Sequence, residues 1–126
     1  MLPSPDFLRG VALFNRKAFF EAHELMELAW RDESGNRRRF YQGVLQMSVA
    51  WYHLEHSNLV GAQKVLRKAA KNLITFPDHY LEFNLIEIRQ QIAMLQEAVD
   101  LNLTLQISLN FTEWVDRYFQ KIFPEA

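Results

Sequence analysis

The sequence predicts an all-α fold, a compact bundle of two related helical hairpins followed by a fifth helix, an extended C-terminal arm and a short last helix. Three observations carry this. Apolar residues recur at spacings of three and four along most of the chain. The four glycines and four prolines fall mostly between those periodic stretches, where they punctuate rather than interrupt them. The first two periodic stretches also match the next two when position 22 is laid on position 62: Phe14 meets Leu54, Phe19 meets Leu59, Ala22 meets Ala62, Met26 meets Leu66 and Ala29 meets Ala69.

Ser4-Pro5-Asp6 opens the first helix with an N-cap, a proline at the first helical position and an acid in the first turn; Phe7, Val11 and Phe14 share its inner face. Asn15-Arg16-Lys17 is the predicted break, with Asn15 as the residue expected to turn left-handed. The second helix runs from about Lys17 to Arg31. It carries an apolar stripe of Phe19, Ala22, Met26 and Ala29 beside a mixed stripe of Phe20, His23, Glu27 and Trp30. After the polar turn Asp32 to Asn36, a third helix covers roughly Arg37 to His56. Phe40, Val44, Met47, Trp51 and Leu54 lie along one face of it and Tyr41, Leu45, Ser48 and Tyr52 beside them, which predicts a central position.

Ser57-Asn58 caps a fourth helix ending near Leu73, with Leu59, Ala62, Leu66, Ala69 and Leu73 inward and Lys64, Arg67, Lys68 and Lys71 outward. Phe76-Pro77-Asp78 stops it. Asn84 and Glu87 form a capping-box-like pair ahead of a fifth helix with Leu85, Ile88, Ile92, Leu95 and Val99 inward. From Leu101 to Phe111 the pattern changes to strict alternation, so the reading there is an extended arm that docks on the bundle or pairs with a second copy in a homodimer. A last short helix is expected over Glu113 to Ile122. The whole is read as one domain, residues 1–126, with the bundle core in 1–100 and the arm and last helix in 101–126.

Composition narrows the function classes. The 126 residues include no cysteine, which closes disulfide, thiolate-metal and cysteine-nucleophile chemistry. A formal net charge of -1 gives no global reason to expect nucleic acid or an anionic membrane as partner. With no secretory signal pattern at Met1 to Asp6 and no apolar run long enough to span a bilayer, the reading is a cytoplasmic protein. No Gly-rich phosphate loop, nucleophile elbow or dinucleotide fingerprint is present.

The unusual feature is a polar cluster. His23 and Glu27, four apart, share a helix face between the aromatics Phe20 and Trp30; Gln42 and Gln46, also four apart, interrupt an otherwise apolar helix. If the short turn makes these helices antiparallel neighbours, Glu27 falls near Gln42, His23 near Gln46, and Arg38 or Arg39 near Trp30. Three physical readings stand together. One is a structural hydrogen-bond network. A second is a divalent-metal site of His23 and Glu27 with Glu24 or His53 as third donor; His23-Glu24-Leu25-Met26-Glu27 supplies one imidazole where the zinc-protease pattern has two. The third is a small-ligand pocket in which Trp30, Arg39, Gln42 and Gln46 read a polar group. In the second hairpin the equivalents of His23 and Glu27 are Gln63 and Arg67, so the cluster is an addition to the shared architecture.

Phe19-Phe20-Glu21-Ala22-His23-Glu24 with Glu27 and Trp30, then Arg38-Arg39-Phe40-Tyr41-Gln42-Gly43-Val44-Leu45-Gln46, then Tyr52-His53, closely resembles domain-of-unknown-function family 309 over about Phe7 to Leu73. The resemblance implies a helical bundle and carries the label of predicted metal-dependent hydrolase. Under that label a divalent ion on His23 and Glu27 would polarise water or a substrate oxygen, Glu24 would be the general base, and Arg38 or Arg39 would take an anionic substrate group. The rival from another class is a non-enzymatic interaction or scaffold module, whose hairpins present a groove and whose cluster sets helix register. An enzyme needs the cluster open to solvent, whereas a scaffold can bury it. The basic face of the fourth helix reads most simply as solvated, Asp78-His79 as a turn, and Trp51 and Trp114 as core.

Overall fold

The computed structural model describes residues 2–105 together with Tyr118 and Phe119. Its elements in order are α1 (Pro5–Asn15), α2 (Phe19–Arg31), α3 (Gly35–Glu55), α4 (Leu59–Leu73), a two-residue hairpin of β1 (His79–Tyr80) and β2 (Phe83–Asn84), and α5 (Leu85–Leu105). The fold is all-α, with α1 packed on α2, α2 on α3, α3 on α4 and α4 on α5.

The predicted caps form. Ser4 Oγ accepts from the Asp6 and Phe7 amides, Asn58 Oδ1 from Gly61, and Asn84 Oδ1 from Ile86 and Glu87, each satisfying donors that a helix start leaves open. The first break differs in one residue. Lys17, not Asn15, takes the left-handed conformation, at φ 65°, because Asn15 is still helical and buried against the core. The second helix accordingly begins at Phe19 and not at Lys17.

The two hairpins close with the same hydrogen bonds, forty residues apart. After α1 the Lys17 amide donates to Phe14 O and the Ala18 amide to Leu13 O, at 2.9 and 3.0 Å. After α3 the Ser57 amide donates to Leu54 O and the Asn58 amide to His53 O, at 3.0 and 2.8 Å, with Ser57 at φ 57°. These are two copies of one Schellman motif, so the repeat seen in the side chains extends to the turns.

Close approach at both crossings depends on a missing side chain. A Cβ on Gly10 would lie 2.8 Å from Met26 Cγ and 3.1 Å from Ala22 O, and one on Gly43 would lie 2.5 Å from Leu73 Cγ. Around these crossings the core is aromatic. Phe7 stacks on Tyr41 at 4.2 Å, Phe19 on Trp51 at 5.5 Å, and Phe40 packs against Phe76, Tyr80 and Phe83. Trp51 and Tyr41 are fully buried, which confirms α3 as the central helix. The Tyr41 hydroxyl accepts from the Ser4 amide at 2.8 Å and from Arg37 Nε at 3.0 Å, tying the start of the chain to α3.

Two features depart from the sequence reading. The chain between α4 and α5 forms a hairpin whose turn residues, Leu81 and Glu82, both have positive φ. Such a turn favours Asn-Gly or Asp-Gly, so Leu-Glu carried no signal for it. It is held instead by Arg89 of α5, whose guanidinium donates to Phe76 O at 2.9 Å and Asp78 Oδ1 at 2.8 Å. The extended arm is the second departure: residues 101–105 are the last turn of α5, not strand. Leu95, Ala98, Val99 and Asn102 continue the buried helical stripe, while Leu101 is 53% exposed, so burial follows the helical period through the alternation. Asn102 keeps its amide satisfied by donating to Ala98 O one turn back. The rest of the predicted arm, 106–111, and the predicted last helix apart from Tyr118 and Phe119 lie outside the described residues.

Candidate functional site

The polar cluster lies where α2 and α3 run side by side. The short connection from Asp32 to Ser34 makes the helices antiparallel, and the α2 stripe of His23, Glu27 and Trp30 then faces Gln42, Leu45 and Gln46 of α3. These six residues line a cleft of about 220 Å³ that opens to solvent. Five of them were predicted from spacing; Leu45 was not, although it sits three residues beyond Gln42 on the same helix face.

Within the cleft the charged groups are occupied by one another. His23 Nε2 lies 3.4 Å from Glu27 Oε2, and the other carboxylate oxygen accepts from Arg31 Nη2 at 3.0 Å. The His23 and Glu27 side chains are 27% and 35% exposed, so neither is a buried charge needing a fixed partner. Arg38 covers Trp30, with its guanidinium carbon 4.1 Å from the ring centroid, which resolves the Arg38-or-Arg39 alternative near Trp30 in favour of Arg38. Gln46 Oε1 accepts from Asn72 Nδ2 of α4 at 2.9 Å, a link that bridges twenty-six residues and has no local sequence signal. Gln42 has no hydrogen-bond partner among the described residues and keeps both ends of its amide free.

Three predicted site residues stand outside the cleft. Glu24 is exposed on the outer side of α2, one helical step past His23, and Arg39 is exposed beyond the lining. His53 sits eleven residues from Gln42 on α3, and its Nδ1 is 3.3 Å from Asn58 Nδ2. Burial, and secondarily the neighbouring His56, holds the His53 imidazole below the usual histidine range. Past His53 the strip continues in aromatic rings: Phe20 packs on Tyr52 at 5.6 Å and Tyr52 on His56 at 4.3 Å. Phe20 is 46% exposed.

Metal binding is limited by donor count. Among the described residues no three His, Asp or Glu side chains are grouped to hold a metal ion. The cleft supplies one imidazole and one carboxylate, the latter already engaged by Arg31 and His23. Catalytic zinc sites use three protein ligands, so this donor set does not fit one.

Comparison with known proteins places this site within a family match. Residues 7–65 match the family described as Domain of unknown function (DUF309), which spans α1, α2, α3 and the first half of α4 and so includes every residue lining the cleft. The chain is 34% identical over 56 residues to "Uncharacterized protein YpuF" of Bacillus subtilis (strain 168), covering 44% of this chain and 32% of that protein. It is 26% identical over 87 residues to an "Uncharacterized protein" of Aquifex aeolicus (strain VF5), covering 68% of this chain and 25% of that protein. The chain thus matches a third or less of the length of each of these relatives.

Proposed function

We infer that this chain, which belongs to the DUF309 family through residues 7–65, is an interaction module whose α2–α3 face docks a partner, and not a metal-dependent hydrolase. One observation carries the reading: the cleft is open and holds one unpaired amide, that of Gln42, beside the Arg38-covered Trp30, while its donors fall short of a metal site. Apolar surface such as Trp30 and Leu45 with a few convergent polar groups is the usual make-up of a recognition site. A cleft of about 220 Å³ is smaller than the ~300–1,000 Å³ of typical small-molecule pockets and suits a single inserted side chain.

The test is a pair of melts with and without divalent metal on the wild type and on His23→Ala and Gln42→Ala. A docking face is not needed for folding, so each variant is expected within about 1 kcal/mol of the wild type, and zinc or manganese is expected to leave the melting temperature unchanged. A metal-induced rise that His23→Ala abolishes restores the hydrolase reading. Losses well above 2 kcal/mol in both variants instead make the cluster structural.

A further inference from the structure

The two hairpins share their turns and their core but carry opposite charge on their outer helices. At equivalent positions α2 has Glu24 and Glu27 where α4 has Lys64 and Arg67. No acidic residue occurs in α4, and its four exposed cations, Lys64, Arg67, Lys68 and Lys71, make no ion pair among the described residues. On α2, Glu21 and Glu24 are exposed and equally without an ion pair, and Glu27 is shared between His23 and Arg31. Exposed apolar side chains stand at matching places, Phe20 at 46% and Val60 at 50%.

Both charged helices flank the same side of α3. Gln46 touches each of them, lining the cleft with α2 residues and accepting from Asn72 of α4. The α3 residues between the two walls, Gln42, Leu45, Gln46, Val49 and Tyr52, are all half-buried, which leaves an incompletely covered strip of mixed apolar and amide side chains. Consecutive helices joined by short turns alternate in direction, so α2 and α4 run parallel.

We propose that this face binds a second copy of the chain about a two-fold axis running along α3, with α2 of each copy lying on α4 of the other. This names the partner for the interaction-module reading and rests on it. Parallel helices put equivalent positions opposite one another: Phe20 of one copy against Val60 of the other, Glu24 against Lys64, and Glu27 against Arg67. The arrangement is isologous, so every contact occurs twice, and the half-buried strip of α3 becomes the centre of an interface with charged walls. The 15-residue α4 is about 22 Å long, and three helices at the usual packing distance of roughly 9 Å span close to 30 Å. The dimer then buries on the order of 1,200 Å² over both copies, the lower end of a specific interface.

Charge reversal with mutual rescue tests this. Sedimentation velocity is expected to give a dimer for the wild type, weakened roughly tenfold by high salt. Glu21→Lys with Glu24→Lys makes both walls basic, and Lys64→Glu with Lys68→Glu cancels the net charge of the α4 wall and sets an acid against Glu24; each variant is expected to be monomeric. All four positions are exposed, so helicity and melting temperature should stay at the wild-type values. Mixed one to one, the variants restore opposite charge at the contact between positions 24 and 64 on both sides of the axis and are expected to recover a dimer that neither forms alone. A dimer in either variant alone, or no recovery on mixing, overturns the proposal. A monomeric wild type overturns it as well, and binding of a poly-glutamate peptide to the α4 cations would then assign the face to a foreign acidic partner. That outcome leaves the interaction reading standing, which fails separately if the cleft variants unfold.

Discussion

Replacing Gly43 with alanine adds one methyl group where α3 and α4 come closest. Its Cβ would lie 2.5, 2.6 and 3.1 Å from Cγ, Cδ2 and Cδ1 of Leu73, which is fully buried. Ordinary contact needs nearly 1 Å more, so either the Leu73 rotamer or the helix spacing must give. Overpacking of this kind costs roughly 1–3 kcal/mol, and the better helix propensity of alanine returns up to about 1 kcal/mol. The net expectation is a loss of about 1–2 kcal/mol, read from urea unfolding at constant slope. Leu73→Ala alone should cost roughly 2–5 kcal/mol through its cavity. In the double variant the new methyl occupies part of that cavity, so the two losses should fall short of their sum by about 1 kcal/mol or more. A Gly43→Ala protein as stable as the wild type, or a strictly additive double variant, refutes steric contact as the reason for this glycine. The same contact sets the spacing at which Asn72 reaches Gln46, so the variant should also disturb the α4 side of the cleft.

Other expectations follow from the same geometry. Ser57→Gly removes a left-handed strain at an exposed turn and should stabilise the protein by about 0.5–1 kcal/mol in denaturant melts; a loss would mean that the serine side chain holds the turn. Arg89→Met deletes the donors to Phe76 O and Asp78 that close the hairpin after α4, at a cost of about 2 kcal/mol, and hydrogen exchange should show residues 76–84 opening first. His53 is held below the ordinary histidine pKa, so as pH falls the unfolded chain takes up the proton first. Stability is therefore full above about pH 6.5, where the unfolded imidazole is neutral, and is lost as pH falls toward the folded value. His53→Gln should flatten melting temperature against pH in that window, and an unchanged slope would place the acid sensitivity elsewhere.

Much of the fold was legible in local sequence because local physics produces it. Ser4, Asn58 and Asn84 announce helix starts by the hydrogen bonds their side chains make two and three residues on, and the apolar period of α1 to α4 marks the buried face of each helix. The cleft was legible for the same reason. One short antiparallel connection and two i, i+4 pairs are enough to bring His23 and Glu27 opposite Gln42 and Gln46.

What misled the reading were signals with two valid interpretations. Residues 101–105 alternate as a strand does, yet Val99 and Asn102 also complete the α5 stripe, and only packing decides between them. The Leu81-Glu82 turn has no turn chemistry of its own and exists because Arg89, seven residues further on, bonds the chain leading into it. Glu24, Arg39 and His53 have the right chemistry for a site and do not line this cleft.

Sequence alone therefore determined the helices, their caps, the duplicated hairpin and the cluster between α2 and α3, since each depends on residues within a few turns of one another. Tertiary structure decided which polar groups are spent and which are free: that Glu27 is held by Arg31 and His23, that Gln46 is engaged by Asn72, and that Gln42 is not engaged. Hydrogen bonds and packing across distant segments are set by how whole helices approach, and no local pattern encodes that distance.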